Sequence, residues 1–174
     1  NNMSKKTRFT DHLIPILVLP FMVIIVIPYL LNKHYGSFKL SQIFNLDHGT
    51  MWLLALLIFI PGFILFVLSI RLFHKIGNGT LAPWKPTQNL VVKSLYAHMR
   101  NPMITGVILL LISESLIYNS AAVFYWMLFF FITCTLYFIL SEEPGLVKRF
   151  GQEYIDYKAN VPRWIPRLKA WKPE

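Results

Sequence analysis

The sequence predicts an all-α fold: one integral membrane domain over residues 1–174, with four transmembrane helices and a cytoplasmic, interfacial C-terminal helix. Three observations carry this. Hydrophobic residues make up 55% of the chain and charged residues only 14%, whereas a soluble domain carries about a quarter charged. The apolar residues fall in uncharged runs of membrane-crossing length. Fifteen of the seventeen Lys and Arg residues sort to one side of those runs.

The first run, 13–31, contains no charge, and neither do 51–70 nor 121–140. Each is about 20 residues, or roughly 30 Å of helix, the thickness of a bilayer core. The spans are therefore placed at 13–31, 51–72, 101–118 and 121–140. The third is the shortest and holds Glu114, whose place near Tyr118 suits a structural role. Only Asn119 and Ser120 separate it from the fourth, so these two form a tight antiparallel hairpin. The first run is too long for a signal-peptide core and lacks a small-residue cleavage site, so it is expected to remain as an anchor. Pro15, Pro20, Pro28 and the Pro61-Gly62 pair are expected to bend the first two spans, where neighbouring helices re-satisfy the freed carbonyls.

Orientation follows from the basic residues. Lys33 and Lys39 alone lie in the first loop; the rest precede the first span, fill the 73–100 connector and its approach, or sit in the 141–174 tail. The positive-inside rule makes that side cytoplasmic. The net charge of +9 then faces anionic membrane lipid rather than nucleic acid, for which no recognition motif is present. Cys134 stands alone within the fourth span, and the five histidines are scattered without ligand spacing, so no metal is expected. A transporter would show paired, interrupted spans with polar residues at mid-bilayer, and only Pro61-Gly62 fits that pattern.

The chemistry is confined to two stretches on the basic side. In 74–102, Gly77 and Gly79 flank a turn after the second span. They form either a plain turn or a place where backbone N–H groups approach a ligand unobstructed. Arg100-Asn101-Pro102 opens the third span. Proline is ordinary at a helix start, but arginine is not, because the dipole there favours anions. Arg100 either snorkels to headgroups or, beside free helix N–H groups, receives a carboxylate. In 141–166, Glu142-Glu143 sits where the basic side would favour Lys or Arg, and can receive hydroxyls or an ammonium group. Leu146, Phe150, Tyr154 and Tyr157 then share one face of an amphipathic helix suited to lie on the bilayer or close over a site. Trp164 and Trp171, among Arg163, Arg167 and Lys169, read as interfacial anchors.

Gly-x-Gly after a membrane helix, Arg-Asn-Pro-Met opening the next, and Glu-Glu-Pro after a tight hairpin resemble the isoprenylcysteine carboxyl methyltransferase and phospholipid methyltransferase superfamily. The tail FGQEYIDYKANVPRWIPR is similar to its prokaryotic members, and the likeness covers about residues 70–167. This chain has Ser94-Leu95-Tyr96 where relatives commonly have Gly-Pro-Tyr, and Asn101 where the eukaryotic carboxyl methyltransferases have histidine. The resemblance implies a multi-pass enzyme of a prokaryotic inner membrane, with both termini and the active site cytoplasmic. It implies S-adenosylmethionine as cofactor and a lipophilic small-molecule acceptor, either a prenylcysteine-like carboxyl or a lipid headgroup amine; the alternatives are a small-thiol or other small-molecule methyltransferase of the same fold, and an NADPH-dependent reductase, since membrane sterol reductases share a related helical arrangement and similar arginine and glutamate motifs. Carried over, it nominates Gly77, Gly79, Tyr96, Arg100, Asn101, Pro102, Glu142 and Glu143 for the cofactor. Arg100, Glu142 and Glu143 are the catalytic candidates, and Tyr154, Arg163 and Trp164 the acceptor contacts.

Overall fold

The computed structural model describes residues 19–76, 90 and 92–172. Its helices are α1 Leu19–Tyr35, α2 Leu40–Phe44, α3 His48–Ile76, α4 Pro102–Ile117, α5 Ala121–Phe150 and α6 Gln152–Asn160. A 3₁₀ turn, Ser94–Ala97, precedes α4. No strand occurs among the described residues. Two helices are long and apolar enough to cross a membrane, His48–Leu72 and Ala121–Phe150. Helices α1 and α4 are apolar but shorter. The 16 residues of α4 give about 24 Å of helix, less than the four-span reading assumed. Along α3, Trp52, Leu53, Leu56, Leu57, Ile60, Phe63 and Ile64 all turn outward. A soluble core would bury such side chains; outside a membrane they would form a large apolar patch.

Proline shapes α1. The turn Met22–Val26 is a π-helix in which the Ile27 N–H bonds the Met22 carbonyl. The Val23 carbonyl would then look to residue 28, but Pro28 has no N–H. Trp126 of α5 supplies the missing donor, its indole N–H bonding the Val23 carbonyl at 3.1 Å. Pro15 lies outside the described residues. Helix α3 runs unbroken through Pro61, and the use of Gly62 is close packing. A Cβ on Gly62 would sit 2.8 Å from Leu109 Cβ, and one on Gly106 would sit 2.8 Å from Phe66 N. Two facing glycines thus let α3 and α4 touch along their backbones, as membrane helices do. Ser113 adds a cross-helix bond to the Ala55 carbonyl at 2.9 Å.

The α4–α5 hairpin turns at Asn119, whose φ of 48° is a conformation asparagine tolerates. Its side chain accepts the Ser41 N–H at 2.7 Å and donates to Ser41 Oγ at 3.0 Å. Helix α2 is thereby docked on the turn.

At the opposite end the chain departs from the single amphipathic helix expected of the tail. Gly151 takes φ 56° and ψ −130°, which a side chain would obstruct, and divides the segment into the end of α5 and a separate α6. Of the two roles open to the aromatic face, the one the burial of Tyr154 and Tyr157 fits is closure over a site. Tyr154, Tyr157 and Val161 form a small core with Leu90, Val92, Leu146, Phe150 and Trp171. Both tryptophans expected as interfacial anchors pack inward. Trp171 meets Tyr157 at 5.8 Å, and Trp164 meets Phe131 and Phe138 at 5.4 and 5.8 Å. The chain's own apolar groups, closer than any lipid, compete successfully for these rings.

Candidate functional site

Helix α5 is apolar from Ala121 to Leu140, and a second π turn, Phe138–Glu142, spans the end of that run and leads into the charged last turns. That turn presents Glu142 and Glu143 just beyond the apolar run. Adjacent residues on a helix point in different directions, and here the two carboxylates meet opposite fates. Glu143 is buried (4% exposed) and ringed by cations. Arg100 Nη1 and Arg163 Nη2 each reach its Oε1 at 2.6 Å, Arg163 Nε reaches the same oxygen at 3.0 Å, and Lys158 Nζ reaches Oε2 at 2.8 Å. Burial alone would push this carboxyl up. Hydrogen bonds from Lys158 and Arg163, with the charges of Arg100 and Arg163, outweigh it and hold Glu143 below the usual carboxylate range.

Glu142 accepts no hydrogen bond from any described residue. Burial, followed by the neighbouring charge of Glu143, pushes it up to about 7. It lines a cleft with Leu90, Tyr96, Arg100, Asn101, Phe138, Glu143, Leu146, Tyr154 and Tyr157. Burial, and then the charge of Glu142, push the Tyr96 hydroxyl far up, so it remains a protonated donor. Burial, and then its neighbour Tyr96, push the Tyr157 hydroxyl up as well, and that hydroxyl donates to the Tyr96 carbonyl at 2.7 Å.

The tail fixes the other wall. The N–H groups of Arg100 and Asn101 bond the carbonyls of Pro162 and Arg163 at 2.9 and 3.3 Å. The Arg167 N–H bonds the His98 carbonyl at 3.0 Å, and His98 Nδ1 meets the Arg167 carbonyl at 2.8 Å. So clamped, Asn101 starts α4 with Pro102 in its first turn and no side-chain cap. The Thr105 N–H to Asn101 carbonyl bond, 3.0 Å, is the first of the helix. The amides of Met103 and Ile104 therefore have no partner among the described residues, and neither has the buried Arg100 Nε. Two free helix amides beside a guanidinium with a spare N–H suit a carboxylate. A carboxylate without a partner suits hydroxyls or an ammonium.

Of the nominated residues, Tyr96, Arg100, Asn101, Glu142, Glu143 and Tyr154 line this one cleft. Pro102 is buried next to it at the start of α4. Arg163 is drawn onto Glu143, and Trp164 covers the back of Phe138. Gly77 and Gly79 lie outside the described residues. Tyr157, Phe138, Leu90 and Lys158 were not nominated. Tyr157 stood on the aromatic face already read from the sequence, whereas Lys158 looked like any tail cation.

No curated protein matches the chain significantly. The family model for phospholipid methyltransferase matches residues 50–153, well over half of the chain and most of the cleft's lining. The chain belongs to the phospholipid methyltransferase family.

Proposed function

We propose that the protein is a multi-pass membrane methyltransferase that uses S-adenosylmethionine to methylate a lipophilic acceptor at the cleft between α4, α5 and the tail. The observation that carries this is a set of groups with no partner among the described residues: Arg100 Nε and the Glu142 carboxylate, on residues that line the cleft, and the first amides of α4, which follow the cleft residue Asn101. They match a ligand with a carboxylate at one end and hydroxyls or an ammonium elsewhere. Arg100 and the α4 amides would hold the carboxylate; Glu142 would hold the hydroxyls or the ammonium. Bound there, S-adenosylmethionine supplies an electrophilic methyl group for in-line displacement, so most of the acceleration falls to positioning. Glu143, neutralised by three cations, orients Arg100. Tyr96, Phe138, Tyr154 and Tyr157 exclude water. A carboxylate acceptor needs no base. An amine acceptor must lose a proton, and a Glu142 oxygen with a pKa of about 7 is poised to take it near neutrality.

All four apolar segments cross the bilayer in this reading, with both termini and the 73–100 connector cytoplasmic. The short α4 crosses within a hairpin closed at its far end by α2. The acceptor is a lipid, methylated at a headgroup amine or a carboxyl, and it reaches the cleft from the bilayer. Titration of the detergent-solubilised protein with S-adenosylhomocysteine and with NADPH tests the reading. Saturable binding of S-adenosylhomocysteine alone is expected; binding of NADPH alone would overturn it in favour of a reductase.

A further inference from the structure

The segment 163–172 is pinned by its backbone yet holds its aliphatic side chains outward. The N–H groups of Arg167 and Trp171 bond the carbonyls of His98 and Ala97, each at 3.0 Å, and the Arg163 carbonyl accepts from Asn101. Within that frame Ile165 is 78% exposed and Leu168 fully exposed. Scattered exposed aliphatics are normal on any surface. Two of them three residues apart on a fixed frame, at a definite level of an apolar bundle, are a different observation.

The level is set by Trp164. Its ring lies between Phe131 and Phe138, alongside the last turns of the apolar run of α5. Phe131 stands nine residues, about 13 Å of helix, before that run ends at Leu140. Ile165, next in the chain, therefore emerges beside the apolar run rather than above it. Leu168 follows the Arg167–His98 bond, beside the turn that precedes α4. The charge agrees. From Tyr157 to Pro173 the chain has five cations and no acid. Arg163 and Lys158 are taken by Glu143, while Lys169 and Lys172, which follow Leu168, are exposed.

We propose that the 165–168 loop is a membrane-insertion site, with Ile165 and Leu168 buried among acyl chains of the adjacent leaflet and Lys169 and Lys172 on anionic phospholipid headgroups. The loop takes over the anchoring role that the inward-packed Trp164 and Trp171 do not fill. Because the same segment supplies Arg163 to Glu143 and carbonyls to the start of α4, lipid contact steadies the wall of the cleft. This rests on the reading of the bundle as membrane-spanning with the cleft at its cytoplasmic end, and not on the identity of the cofactor.

The test uses the full chain on a Cys134→Ser background. Single cysteines at Ile165→Cys, Leu168→Cys and, as an exposed control on α6, Glu153→Cys are labelled with an environment-sensitive fluorophore. The proteins are reconstituted in vesicles of zwitterionic phospholipid, with or without anionic phospholipid. The probes at 165 and 168 are expected to be quenched several times more strongly by a nitroxide-bearing lipid than the probe at 153, and to be shielded from aqueous iodide. Anionic lipid should deepen the quenching at 168, and Lys169→Glu with Lys172→Glu should remove that dependence, each lysine being worth about fivefold in affinity for an anionic leaflet. Iodide quenching at 165 and 168 equal to that at 153, with no response to the lipid-borne quencher, would overturn the proposal. S-adenosylhomocysteine binding to the same vesicles separates the two readings: bound ligand with a water-exposed loop sinks the insertion site alone, and an inserted loop without ligand binding sinks the cofactor alone.

Discussion

The two ends of the α4–α5 pair meet the same demand, unpaired backbone at a helix junction, with different chemistry. At the hairpin end all the partners are neutral. Asn119 bonds Ser41, the Asn119 carbonyl accepts from Leu40, and the Ala121 N–H bonds the Phe38 carbonyl. At the cleft end the tail satisfies the backbone, but the side chains are ionic, with Glu143 held among Arg100, Arg163 and Lys158. The hairpin end spends its polar groups on closing the turn. The cleft end fixes its polar groups firmly and leaves several unspent, which is what a preorganised ligand site requires. Glu114 Oε2 and Ser120 Oγ are also unpartnered at the hairpin end, but no cation pairs with Glu114 among the described residues.

The comparison breaks most visibly at Glu143. Glu143→Ala leaves the guanidinium groups of Arg100 and Arg163, 11% and 16% exposed, without their counter-charge. Loss of one partner of a buried pair costs about 3–5 kcal/mol. Unfolding in detergent should show a large fall in stability, and wild-type stability would mean the cluster is ornamental. Lys158, 46% exposed, should matter far less: Lys158→Ala is expected to cost under about 1 kcal/mol.

Acidity gives a graded form of the same contrast. The Glu142 carboxyl, near 7 in the folded protein against an ordinary 4.5, favours the folded state most below about 4.5 and loses that contribution as the pH rises through 7. Glu143 is depressed, so its contribution is present above its ordinary value and disappears as the pH falls through its folded value. Melting temperature against pH should show both arms, and Glu142→Gln should flatten only the upper one.

The hairpin end should respond to smaller changes and leave ligand binding alone. Asn119→Ala removes two hydrogen bonds to Ser41 and is expected to cost about 1–3 kcal/mol of stability with unchanged S-adenosylhomocysteine affinity. Smallest of all, Glu114→Gln and Cys134→Ser should retain most methyl transfer once expression is matched. Near-complete loss in either, with the fold intact, would place the site at the wrong end.

Arg100, Glu142 and Glu143 were legible in the sequence because each breaks a local rule: a cation at a helix start, and acids on the basic side. The hairpin was legible because Asn119 and Ser120 leave room for nothing else. The division of labour between Glu142 and Glu143 was not, since it depends on which way each points and on Lys158 and Arg163, well along the chain. The clamp of the tail on residues 97–101 is made of backbone bonds apart from His98 Nδ1, and backbone bonds carry no side-chain signature. Gly62 looked like a bend beside Pro61 because its partner, Gly106, is distant in sequence. Gly151 was a visible signal, passed over because the aromatic spacing runs through it.

The claim at the centre is that Glu142 is the free carboxylate of a cofactor site that Glu143 holds in shape. Glu142→Gln tests it with least disturbance, because the side chain has no partner to lose among the described residues. S-adenosylhomocysteine affinity, measured before any acceptor is added and across the pH range in which Glu142 ionises, is the direct measurement. Wild type should bind more tightly as the pH rises through about 7. Glu142→Gln should bind about 10- to 150-fold more weakly, as loss of a charge-assisted hydrogen bond predicts, and without that pH dependence. Wild-type affinity and an unaltered pH profile in Glu142→Gln would contradict the claim and assign the residue to the acceptor or to the fold.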